Sequence, residues 1–273
     1  MDCTLTAPTA LAAFALRPYR YMLTLPVLLA VLLFGGMAHA QDDGSVLETD
    51  GGGQEILQSI FVPPIAHAPF SLTLATEWTR PLNNGGTYTL VNRRPIKRDG
   101  AGRIYQERWL LTPKGSDIPS RLSWIQIVDP NAHTLYQCNA FQHVCELLTY
   151  SGSADVHYQP SLFKSGPLAN GKGSRTHEDL GASERAGVPV HGYRDTTTLN
   201  PGVLGNDLPM TTVREFYYSA ELGINLSSVL DAPQVGRETF TVEEISTTDP
   251  DASFFQPPEG YTIVDHRKAT LAK

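Results

Sequence analysis

Cys138 and Cys145 are the residues whose type and spacing point most directly to chemistry. They flank residues 139–144, between two strand-like runs at 133–137 and 146–150. In an oxidising compartment such a pair is most simply a disulfide that staples a hairpin near its tip. The closed loop is short, so loop-closure entropy sets the stabilisation at ~2 to 3 kcal/mol. The sharper alternative is a metal site drawing on Cys138, Cys145, His133 and His143, but the spacing matches no zinc pattern. A redox pair fits less well again, because the separation is not Cys-x-x-Cys.

A second group is charged. Arg194, Asp195, Arg214 and Glu215 stand inside strand-like runs. They read either as a polar cluster that orients a ligand head group or as cross-strand ion pairs on a wet face, worth ~0.2 to 1 kcal/mol each. Glu107 beside Arg103 and Arg108 carries the same two readings. The histidines at 133, 143, 157, 177 and 191 do not recur at the i, i+2 spacing that would put ligands on one strand face. No Gly-x-Ser-x-Gly elbow occurs, and the stretch 171–175 lacks the glycine spacing of a phosphate loop. Adjacent carboxylates at Glu243 and Glu244 point to opposite faces of a strand and cannot act together. Catalytic, metal and cofactor chemistry therefore find no motif here.

The elements that must position these groups are strands. The chain is organised around a long antiparallel hairpin, whose arms run from residue 180 to 198 and from 211 to 218. Its arms are rich in β-branched and aromatic residues, and its connection carries Asn200, Pro201, Gly202, Gly205, Asn206 and Asp207, which favour turns. Residues 70–78 alternate, with Phe70, Leu72, Leu74 and Trp78 on one face. Strands 104–112 and 122–128 instead carry large apolar groups on both faces, and such strands need cover on both. No amphipathic helix of ten or more residues supplies it, so the sheet must curl over itself, pair with a second sheet or hold something apolar. The expectation is an all-β fold: a strongly curved antiparallel sheet, a half-barrel meander of about ten strands. Residues 151–174 are the longest stretch without pattern.

Compartment and domains follow from the ends. Arg17 and Arg20 precede a 13-residue uncharged run from Met22 to Phe34, and Ala38-His39-Ala40 closes it in small-x-small form. These are the parts of a signal peptide, with cleavage expected between Ala40 and Gln41. The run falls short of the ~18 residues a bilayer span requires, so no membrane span is expected to be retained. The divisions are then 1–40 signal peptide, 41–62 flexible lead-in, 63–265 a single β domain and 266–273 a disordered tail. Formal charge is −7 for the whole chain; with the leader at +1, the mature part carries −8. That balance disfavours nucleic acid and anionic membrane surfaces as partners.

Several segments carry a resemblance: 98–108, 129–136, Gly205-Asn206-Asp207-Leu208-Pro209 with Glu215, and the closing 249–255 and 258–261. Over most of residues 64–265 the chain resembles a family of uncharacterised exported proteins common in Acidobacteria. Its closing stretch is also similar to the end of outer-membrane lipoprotein carriers. That likeness implies a curved half-barrel sheltering acyl chains, although the helices lining a carrier's cavity are not readable here. The expected function is that of an exported, periplasmic or secreted, non-catalytic protein binding a lipid or acylated ligand. Its concave face would be built from Trp109, Trp124, Ile125, Ile127 and Tyr217, with Arg194 and Glu215 at the head group. The alternative is an envelope interaction or scaffolding module, covered by a protein partner or by self-association. A hydrolase with an unrecognised site stands third.

Overall fold

The computed structural model describes residues 60–154, 159–160 and 162–267. The signal peptide with its Ala40–Gln41 junction, residues 41–59 of the lead-in and residues 268–273 of the tail lie outside the described residues. Fourteen strands are present among them: β1 Phe70–Pro81, β2 Thr87–Arg98, β3 Ile104–Trp109, β4 Thr112–Pro113, β5 Leu122–Asp129, β6 Thr134–Asn139, β7 Val144–Thr149, β8 Gly166–Pro167, β9 Gly173–Arg185, β10 Val188–Leu199, β11 Met210–Ser219, β12 Ile224–Ala232, β13 Gly236–Ser246 and β14 Thr262–Asp265.

They form one sheet in the order β14-β7-β6-β5-β3-β2-β1-β13-β12-β11-β10-β9-β8, with β4 paired to β2 off this path. The sheet is not closed into a barrel. The chain lays one meander outward from β1 to β7, crosses to the far edge, and meanders back from β8 to β13, which pairs with β1. Every pairing is antiparallel except the last, β14 on β7. The expected all-β sheet is present, with more strands than the ten anticipated and with a parallel strand at one edge.

Alternation in β1 decides the two faces. Phe70, Leu72, Leu74, Thr76 and Trp78 are all buried, while the residues between them are partly exposed. On this Phe70 face, one core cluster joins Phe70, Leu72 and Leu74 to Ile96 of β2, Ile104 of β3, Val128 of β5, Phe240 and Val242 of β13, and Val188 and Val190 of β10. Ile60 and Val62, with Leu222, Ile224 and Leu226, complete it. The residues just before β1 are therefore core, although they stand at the end of the stretch read as a lead-in.

Arg98 fixes that lead segment. Its side chain is fully buried and donates to the carbonyls of Pro63, Ala68 and Leu222 at 2.6 to 2.9 Å. Its guanidinium also lies over the Phe70 ring. The approach is close enough that a Cβ on Gly223, where φ is +64°, would meet Ile65 Cδ1 at 2.2 Å. The positive φ favours glycine there.

Three elements differ from expectation. The third strand stops at Trp109, and Thr112–Pro113 turn back to pair with β2. β9 takes residues 173–174 from the unpatterned stretch and 180–185 from the hairpin arm expected over 180–198, which a turn at Ala186-Gly187 divides into β9 and β10; none of its residues is fully buried, so it lacks the apolar alternation that announces a strand. β14 is exposed along its whole length.

Candidate functional site

The structure divides the residues expected to share one concave face. Ile125 and Ile127 lie on the face opposite Phe70, within a second core cluster of Tyr105, Cys138, Cys145 and Phe255. Trp109 donates its indole N–H to Glu107, whose partner across the β3–β5 ladder is Ile125. Trp124, one residue away from Ile125, faces the other way. Arg194, Glu215 and Tyr217 are far from these, on β10 and β11, and they engage one another. Arg194 donates to Glu215 at 2.8 and 3.0 Å and to Glu178 at 2.9 Å, and the Tyr217 hydroxyl donates to the second Glu215 oxygen. Arg185 stacks on the Tyr217 ring. This is a surface network whose donors and acceptors serve each other.

The second apolar face of β3 and β5 has its own cover. The 3-10 turn Ala252–Phe255 places Phe255 in the cluster, with Tyr261 packed beside it. The disulfide Cys138–Cys145 lies in the same cluster, joining directly opposed residues of β6 and β7. The Tyr105 hydroxyl donates to Glu107, and burial followed by that carboxylate pushes its ionisation well above the ordinary range.

The Phe70 face changes character along the strands. Beyond the apolar cluster comes a glutamine ladder: Gln106 pairs with Gln126, and Gln126 with Gln137, across β3, β5 and β6. Gln106 donates to Gln126 Oε1 at 3.2 Å. In the next row Arg108 stands opposite Trp124. Arg108, Trp124, Ile125, Gln126 and Gln137 line a cavity of about 240 Å³. Further toward β10, one cross-strand row runs Tyr193, Phe216, Ser228, Phe240, Thr76, Asn92. Thr76 Oγ1, Asn92 Oδ1, Gln106 Oε1, Asp195 Oδ2 and Ser228 Oγ are all buried there without a hydrogen-bond partner. Buried polar atoms in native folds are nearly always paired, so a band of them on one face stands out from the rest of the sheet.

Two guanidiniums adjoin this band. The β2–β3 ladder ends at Ile96 and Gln106, next to Pro95, which has no amide N–H to extend it. Arg94 and Arg108 lie across the resulting fork. Arg94 is only 2% exposed, and burial, reinforced by the charge of Arg108, holds its pKa down to about 9. Burial lowers Arg108 to about 10. Sequence reasoning placed Arg108 beside Glu107 and did not single out Arg94 or the glutamines. Their common face becomes visible only once the register is known.

Histidines follow a different logic. His133 and His143 sit at hairpin turns with φ of 53° and 52°. His177 Nδ1 is 2.7 Å from Asp195 Oδ1 across the β9–β10 ladder. Among the described residues no group of three or more His, Cys, Asp or Glu side chains is placed to hold a metal ion.

No family model matches the chain, and no curated protein matches it. Among solved structures it is similar to MucB, at 16% identity over 72% of this chain and 60% of that one, with a TM-score of 0.30. It is also similar to LprF from Mycobacterium bovis, at 12% identity over 67% and 89% of the two chains, TM-score 0.25. A third neighbour is a domain from Vibrio parahaemolyticus described as an outer membrane lipoprotein-sorting protein, at 9% identity over 70% and 90%, TM-score 0.25.

Proposed function

We propose that this chain is an exported, non-catalytic binding protein for an amphipathic ligand of lipid or acylated type. The observation that carries the reading is the cavity on the Phe70 face, where the Trp124 indole stands beside Arg108, Gln126 and Gln137. An apolar wall meeting a few convergent polar groups is the usual composition of a small-molecule site. The same face carries the buried orphan acceptors of Asn92 and Gln106. The apolar part of the ligand would lie against Trp124, and its polar part against Arg108 and the glutamine amides. Ile125 lines the cavity as well as the opposite cluster; Ile127 contributes from behind, by holding β5 against its opposite cover, and Trp109 likewise belongs to that side.

Native mass spectrometry of the chain purified from an exporting host, followed by organic extraction, tests the reading. A stoichiometric adduct of lipid mass, lost in a Trp124→Asp variant that still folds, is the expected result. A bare monomer from every preparation, with no uptake of added amphiphile, would overturn it. A dimer mass without adduct would instead favour an interaction module.

A further inference from the structure

The two meanders place their connections at two ends of the sheet, and these ends differ in surface chemistry. At one end lie the turns 99–103, 130–133, 186–187 and 220–223, beside the lead segment that Arg98 holds. Those turns expose no large hydrophobic side chain, and the exposed carboxylates of Glu221 and Asp249 stand there. At the other end lie the connections 82–86, 114–121, 140–143 and 200–209, and each exposes at least one: Leu82, Ile118, Phe141, and the pair Leu204 and Leu208. A single exposed leucine needs no explanation, but such a division between two ends does.

The pair is the most exposed, at 64% and 69%, and its loop is held in shape. Asn206 accepts from the Leu204 amide and donates to the carbonyls of Asn200 and Leu208, while its own carbonyl accepts from the Gly202 amide. Asn200 ties the loop to Gly171 and Lys172 in the connection before β9. These polar groups serve one another while the leucines face water, so the loop can enter a less polar medium without giving up those hydrogen bonds. The tips are also spread out: β13, β12 and their own turn separate the 82–86 turn from the 200–209 loop. A protein hot spot needs a contiguous buried centre, whereas a fluid surface needs only that separate anchors reach a common depth. Charge agrees, because Lys114, Arg121 and Lys172 outnumber Asp117 and Asp207 at this rim of an otherwise acidic chain. Arg121 lies over the Phe141 ring, a pairing of apolar body and charged tip suited to a head-group boundary.

We infer that this rim docks on a lipid bilayer, with Leu204 and Leu208 inserted at the head-group boundary and Ile118 and Phe141 as further anchors. The inference goes beyond the binding role proposed above and does not depend on it, although Trp124, which pairs with Asn139 at the 140–143 turn, sets the cavity toward the same rim.

Flotation of the folded chain with phosphatidylcholine vesicles is the test, repeated for the double variant Leu204→Asp/Leu208→Asp and for Ala132→Asp/Ala220→Asp, which adds the same charge at the opposite end. The native chain is expected to float with the vesicles, and to do so at high salt, because insertion is apolar. L204D/L208D should lower partitioning by at least roughly tenfold, and A132D/A220D should leave it unchanged. Absence of vesicle binding by the native chain would overturn the inference and leave the ligand reading standing, as would binding that vanishes in high salt. Equal loss in both double variants would overturn the assignment to this rim. A dimer that L204D/L208D abolishes, without vesicle binding, would overturn it in favour of a second copy of the chain. Uptake of added amphiphile by L204D/L208D, measured by native mass spectrometry, separates the two readings: retained uptake with lost flotation supports the rim as a surface distinct from the cavity, and joint loss of both in a folded variant overturns that distinction.

Discussion

A single buried side chain, Arg98, ties three separate parts of the chain together, and its replacement should show how strongly. It donates to Pro63 before the sheet, to Ala68 at the mouth of β1 and to Leu222 in the β11–β12 turn. Burial holds its pKa down to about 10, so its charge persists at neutral pH and must be matched by those carbonyls. Arg98→Met would leave three buried carbonyls without their donor and is expected to destabilise the chain by ~3 kcal/mol. Equilibrium denaturation in urea measures this directly; a loss below 1 kcal/mol would mean that the turn and the lead segment are held by packing alone. Such a residue is hard to read from sequence, because arginine is among the residues most often exposed and nothing nearby in the chain announces three distant acceptors. The same holds for Arg94, Asp195 and Glu238, all buried. Cys138 and Cys145 were legible for the opposite reason: their pairing is local, and it depends on a hairpin that the intervening residues already encode.

At the scale of elements, legibility followed the apolar period. β1 and β5 were placed by alternation and by apolar residues on both faces, and β10 with β11 by β-branched arms around a turn-forming connection. β9 was partly missed because its charged and hydroxyl residues contact solvent rather than a core. The cover of β5's second face was missed because it comes from a 3-10 turn of four residues, too short for any periodic signal. That turn now makes a sharp prediction. Phe255→Ala removes the ring that closes the Tyr105, Ile125 and Ile127 cluster and should cost about 3 kcal/mol. Thermal unfolding followed by circular dichroism would report the loss. The cavity shares only Ile125 with that cluster, and Arg108, Trp124, Gln126 and Gln137 stand on the other side of β5, so amphiphile binding by the folded variant should survive. Loss of binding in a folded Phe255→Ala protein would mean that the two faces of β5 are coupled through its backbone.

The whole molecule is two meanders joined along one seam, where Ser71 faces Ser246 and Thr79 faces Arg237. Each meander is made of near neighbours in sequence, whereas the seam joins strands separated by most of the domain. Local pairings form quickly, and pairings that close long loops form slowly. Pulse-labelled hydrogen exchange during refolding should therefore find the amides of β5, β6 and β7 protected before those by which β1 and β13 bond each other. Simultaneous protection of both would contradict that order. Both outer edges carry protection against stray pairing: β14 is short, and β9, beyond its two-residue pairing with the edge strand β8, carries Glu178, Asp179, Glu184 and Arg185. The seam has no such guard. A ribosome makes β1 first and β13 almost last, so for most of synthesis the growing chain displays β1 with its inner edge bare and Phe70, Leu72 and Leu74 uncovered. The most hazardous surface of this protein thus belongs to its youth, and any factor that keeps the nascent chain from aggregating has to shield the strand that ends up at the centre.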